Sequence, residues 1–169
     1  MRNVQKVIVS SFLVLGMALP VVAVQAAGTS SSTTSSSSSS SSGNSGGASV
    51  TEEYAKAKNK IAAGSYESAI AILQKIVEQQ PKNADALNLM GYSYRKLDNY
   101  DQSLKYYEQA LKLEPDHIGA NEYLGELYLE MKNLPKAEER LATLTKACNG
   151  CQEQKELEEK IAAYKAANS

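Results

Sequence analysis

The sequence predicts an all-α protein: a solenoid of three helix-turn-helix repeats closed by a C-terminal capping helix. Three observations carry this. A displacement of 34 residues aligns Ala57, Gly91 and Gly125, then Ala69, Ser103 and Ala137, then Leu73, Tyr107 and Leu141. The breakers Gly64-Ser65, Asp98-Asn99 and Lys132-Asn133 recur at the same interval and divide each repeat in two. Pro81 and Pro115 recur as well, where a second helix must stop, with Asn149 in the place of a third.

The chain opens on a different kind of segment. Arg2 and Lys6 precede a short apolar run from Val7 to Leu19, ended by Pro20. Val24-Gln25-Ala26 then supplies the side chains a signal peptidase accepts. Residues 1–26 are expected to be a cleaved signal peptide, since the apolar run is shorter than the roughly 20 residues of a spanning helix. The mature chain is expected to be exported, periplasmic or secreted from a bacterium, with no membrane span after signal removal. Residues 27–49 are almost entirely Ser, Thr, Gly and Asn. They can bury no apolar surface and are expected to form a disordered linker.

From Val50 the composition shifts to Ala, Leu, Lys, Glu and Tyr. The repeats are expected at 50–83, 84–117 and 118–151, with a cap at 152–169. Helices are expected at 51–63, 66–79, 84–97, 100–113, 118–131, 135–147 and 153–167. Small residues at Gly91 and Gly125, and at Ala69, Ser103 and Ala137, permit close helix approach. Asn99 and Asn133 suit N-caps, and Pro135 sits at a helix start where its missing N–H matters little. The last helix has an apolar stripe of Leu157, Ile161 and Tyr164 and is otherwise charged. That is the pattern of an end cap, although the helix lacks the repeat pattern.

These residues resemble the tetratricopeptide repeat family. The best match is LNLMGYSYRKLDNYDQSLKYYEQALKLEPDH, residues 87–117; the third stretch, NEYLGELYLEMKNLPKAEERLATL, is nearly as good. The first repeat is weaker, with Lys56 and Lys60 in apolar positions. The resemblance implies a right-handed stack of helix pairs whose first helices line a concave groove. It places Tyr54, Asn88 and Glu122 in one groove-facing register and Lys58, Tyr92 and Glu126 in another, with Arg95 reaching the rim. The family's clamp for a chaperone C-terminal carboxylate is not matched: Lys58 and Leu89 stand where Asn is needed, and Gly119 and Tyr123 where Lys and Arg are needed. The groove reads as mixed, with tyrosines, a positive first half (Lys58, Arg95) and a negative third helix (Glu122, Glu126, Glu130).

Cys148-Asn149-Gly150-Cys151 is the one motif with reactive potential. Gln152 stands where haem attachment requires His, and two Cys with the lone His117 are too few for zinc. A structural disulfide in the turn before the cap is the expected reading, since export permits it. A redox pair at the start of the last helix is the alternative.

The formal charge of −1 speaks against a nucleic-acid footprint. There is no phosphate loop, nucleophile elbow or metal-helix motif. His117, after Glu-Pro-Asp, reads as a turn residue, and Glu138-Glu139 and Glu158-Glu159 as solvated faces. The expectation is a non-enzymatic scaffold without cofactor or metal that binds a protein or peptide in its groove. The alternatives are a thiol-disulfide accessory protein using Cys148 and Cys151, and a self-assembling structural protein.

Overall fold

The computed structural model describes residues 45–168. Among them are seven helices: α1 (Ser45–Ala62), α2 (Tyr66–Gln79), α3 (Ala84–Lys96), α4 (Tyr100–Leu113), α5 (Ile118–Glu130), α6 (Leu134–Cys148) and α7 (Gln152–Ala167). No strand occurs among the described residues. The expected signal peptide and most of the expected linker lie outside them. The linker expected over 27–49 is cut short by the structure, because α1 already runs from Ser45. Gly46 and Gly47 are poor helix formers, so propensity does not account for this extension. Burial of Val50 against the first helix pair anchors this early turn.

The helices pair as α1 with α2, α3 with α4 and α5 with α6; α2 then packs on α3, and α4 on α5. The architecture is an all-α repeat solenoid. α7 packs on both α5 and α6. Its Leu157 and Ile161 are buried and Tyr164 packs against the same cluster, so the expected apolar stripe is the docking face.

The turn inside each repeat is one structure made three times. Ser65, Asn99 and Asn133 donate their backbone N–H to Lys60, Tyr94 and Tyr128 carbonyls at 2.8, 3.0 and 2.7 Å. These five-residue closures end the first helix of each pair with a left-handed residue. Those residues are Gly64, Asp98 and Lys132, at φ 71°, 56° and 60°. Asn99 and Asn133 then cap α4 and α6, accepting from the N–H of Gln102 and Lys136.

The small residues mark where helices touch. A Cβ on Gly91 would stand 2.6 Å from the Tyr107 ring, and one on Gly125 would stand 2.5 Å from Leu157. Tyr107 is wholly buried between these layers. Ser103, in register with Ala69 and Ala137, is also buried and donates its hydroxyl to the Gly91 carbonyl at 2.8 Å. The hydroxyl is therefore paired in the core rather than left as a desolvated polar group. No helix of the described residues is long and apolar enough to cross a membrane.

Candidate functional site

Helices α1, α3, α5 and α7 bring their side chains to one face. At its centre lies Tyr92 of α3. Its ring meets Tyr123 of α5 at 5.0 Å and Tyr66 of α2 edge-on at 6.3 Å. Tyr92 and Tyr123 are each half-buried, and both line two adjoining hollows. One hollow, of about 230 Å³, is lined by Lys58, Ile61, Ala62, Leu89 and the two tyrosines. The other, of about 550 Å³, is walled mainly by charged groups from α3, α5 and α7.

The wall of the larger hollow is an internally compensated network. Arg95 holds Glu126 at 2.6 Å and Glu130 at 2.8 Å. Its guanidinium also lies 5.5 Å from the centre of Tyr92 and 5.8 Å from that of Tyr123, a cation over two aromatic faces. Glu126 is paired a second time, with Lys160 of α7. Glu122 is buried and faces Glu156 of α7. Burial first, then the charge of Glu126 and contact with Glu156, push the Glu122 carboxyl up to about 8. Glu156, bonded to Gln152 and to Glu122, is held below the usual carboxylate range. Glu122 is thus the protonated partner of a carboxyl–carboxylate pair at neutral pH.

The expected groove residues meet different fates. Tyr54 is half-buried beside Val50, Gln80, Asn83 and Asp85. Burial and then the Asp85 charge push its hydroxyl up to about 12. Lys58 is exposed at the lip of the smaller hollow. Asn88 is buried, its Oδ1 without a hydrogen-bond partner, and its amide packs close to Gly119, where a Cβ would be 3.0 Å from Nδ2. Tyr92 is central. Arg95 does not reach the rim: it is 7% exposed, because the two carboxylates and two aromatic rings around it draw the guanidinium inward. Glu122 and Glu126 are likewise buried, so the third helix does not present the open negative face expected of it.

Lys96, Glu156 and Lys160 are not among the residues expected in the groove, and Leu89 and Tyr123 enter that expectation only as departures from the carboxylate clamp. Leu89 and Tyr123 are themselves one repeat apart. So are Glu122 and Glu156, and Glu126 and Lys160. The repeat register therefore continues into α7, contrary to the reading that the last helix lacks it. The signal was masked because α7 keeps the register through charged residues rather than through the small residues that mark the repeats.

His117 is the N-cap of α5. Its Nδ1 accepts from the Ala120 N–H at 3.1 Å, so its Nε2 carries the proton and donates to Asp85 at 3.2 Å. Cys148 and Cys151 bring their sulfurs to 2.08 Å, with Cα atoms 5.5 Å apart, at the junction of α6 and α7. No group of three His, Cys, Asp or Glu side chains stands ready for a metal among the described residues.

Two family profiles, both described as tetratricopeptide repeat, match residues 84–117 and 54–93. Among curated proteins, the rice DnaJ protein P58IPK homolog B is 35% identical over 81 residues, which are 48% of this chain and 16% of that one. The Arabidopsis thaliana chloroplastic protein PYG7, a tetratricopeptide repeat domain-containing protein, is 30% identical over 94 residues, 53% of this chain and 31% of the relative. The human protein O-mannosyl-transferase TMTC3 is 30% identical over 74 residues, 44% of this chain and 8% of that protein. The chain thus spans less than a third of the length of each of these relatives. Among solved structures, the Yersinia enterocolitica type III secretion chaperone SycD, in complex with a peptide of the translocator YopD, superposes with a TM-score of 0.62. It is 19% identical and covers 71% of this chain and 92% of its own. The first repeat domain of Spaghetti (RPAP3), bound to an HSP90 peptide, also superposes at 0.62, with 17% identity and 69% and 93% coverage. At these identities the likeness shows the fold.

Proposed function

Since the chain is a tetratricopeptide repeat protein, we propose that it is an exported, non-catalytic scaffold that binds a peptide segment of a partner protein in its concave groove. The observation that carries this reading is the Tyr92–Tyr123 pair, 5.0 Å apart and half-open between two hollows. Tyrosines in such a position supply rigid contact area with a polar tip, the chemistry enriched at binding hot spots. Two structural neighbours support it, since SycD and RPAP3 hold peptides in their solved complexes. The transferase named among the relatives shares only a small part of its length with this chain, so its activity is not carried over. Export rests on residues 1–26 alone, and the Cys148–Cys151 pairing would suit an oxidising compartment.

Selection of a displayed peptide library on the full chain tests the groove. Wild type is expected to enrich binders that Tyr92→Ala weakens about tenfold or more, near 1.4 kcal/mol. Enrichment that Tyr92→Ala leaves intact would place binding elsewhere. Export is tested by the mass of the secreted protein, expected to begin at Ala27.

A further inference from the structure

Resting on the groove reading above, we infer that the ligand is an acidic segment with one apolar anchor: an aliphatic or single-ring side chain seated between Leu89, Tyr92 and Tyr123, with carboxylates on its neighbours meeting Lys58 and Lys96.

Charge bookkeeping along the face leads here. The acids of α5 look like a surface for a basic ligand, but they are already satisfied within the fold. Glu126 is shared by Arg95 and Lys160, and Glu130 is held by Arg95. Glu122 is buried against Glu156 and carries its proton at neutral pH. Arg95 is consumed by the same network. The Glu156 carboxylate stays on the α7 side of the larger hollow. Beside the smaller hollow, whose lining holds no acid, what remains uncompensated is positive. Lys58 and Lys96 are both exposed and form no ion pair among the described residues. Lys58 stands at the lip of the smaller hollow. The Lys96 ammonium lies 5.9 Å from the centre of the Tyr92 ring, which walls the same hollow.

The smaller hollow, with Lys58 in its lining and Lys96 over its Tyr92 wall, is of the other character. Ile61, Ala62 and Leu89 face Tyr92 and Tyr123 across about 230 Å³. That is below the roughly 300 Å³ at which small-molecule pockets begin, and it suits one side chain of a longer ligand. An apolar seat flanked by free ammonium groups favours a ligand with the complementary arrangement, and charge complementarity sets both its selection and its rate of encounter. The contacts use side chains within the ligand, so no free C-terminus is required.

Short peptides blocked at both ends, built on a Gly/Ser frame, test this against the full chain by fluorescence anisotropy. One carries a central Leu flanked on both sides by Glu, a second has Lys in place of Glu, and a third has Ser in place of the Leu. The Glu-flanked Leu peptide is expected to bind at least about tenfold more tightly than either companion, and to weaken as salt rises. Lys58→Glu combined with Lys96→Glu alters only exposed side chains and is expected to lower the thermal melt only slightly, through the loss of Lys96 from the last turn of α3 and from the Tyr92 ring. It is expected to reverse the preference, favouring the Lys-flanked peptide. Equal or tighter binding of the Lys-flanked peptide by wild type would overturn the inference, as would retained binding without the Leu. If no blocked peptide binds, the inference falls. The library selection then separates the two ideas: binders lost in Tyr92→Ala keep the groove reading, and their absence removes it as well.

Discussion

The Arg95 guanidinium of α3 lies 2.6 Å from the Glu126 carboxylate of α5, with both groups buried, and this contact ties the second repeat to the third. Removing one partner of a buried pair leaves an uncompensated charge, which is more damaging than never having the pair. Arg95→Ala is therefore expected to destabilise the protein by about 3 kcal/mol. Arg95→Met, which refills the space over Tyr92, should recover part of that loss. Urea unfolding of the two variants beside wild type measures both.

Glu122 links stability to pH. Its folded-state pKa, about 8, lies above the ordinary 4.5, so folding takes up a proton at pH values between the two. Stability from this group is complete below about 4.5 and is lost as the pH rises through about 8. Glu122→Gln keeps the neutral shape and should flatten this decline. The melting temperature of wild type is expected to fall between about pH 5 and about pH 8 by more than that of the variant, since the two states differ in bound protons over that range. Parallel declines would mean that Glu122 is ionised in the fold.

Lys132 occupies the left-handed turn position that Gly64 fills in the first repeat, at φ 60°. An L side chain there costs about 1 kcal/mol or more. Lys132 is exposed, so Lys132→Gly is expected to raise stability by about 0.5–1 kcal/mol. Gly64→Ala should lower it by a similar amount, about 1 kcal/mol. Thermal melts of the two single variants check the opposite signs.

Gly91 has no room for a methyl group, since a Cβ would stand 2.6 Å from a fully buried Tyr107 ring. The ring cannot swing away without opening the core around it. Gly91→Ala, which an isolated helix would welcome, is expected to cost about 1–3 kcal/mol as overpacking. Differential scanning calorimetry would show it as a lowered melting temperature, and an unchanged value would mean the ring has freedom to move.

The fold was legible from residue type and spacing because its constraints are local. Helix breaks need a left-handed residue followed by a cap, and Gly64-Ser65, Asp98-Asn99 and Lys132-Asn133 announce them. Close crossings need small residues, and Gly91, Ser103, Gly125 and Ala137 mark those. Tyr92 is placed in the groove by the family resemblance, which assigns the groove face to a register. Tyr123 stands at a clamp position of the same groove, but its pairing with Tyr92 is not legible there, because it lies in the next repeat and only stacking brings the two rings together. The cap's part in the site was hidden for a related reason. Lys160 and Glu156 read as members of a solvated helix face until α7 is laid against α5.

Periodicity by itself determined the helix count, the turns and which face of each helix is inward, since these depend on backbone preference and on side chains a few residues apart. Tertiary structure alone decided which charges of the groove remain free. Arg95, Glu126 and Glu122 sit in positions that a register assigns to an open surface, yet their partners come from helices 31 to 35 residues away. A charge is spent or available according to what lies within a few ångströms of it, and that distance is set by the packing of one helix pair on the next.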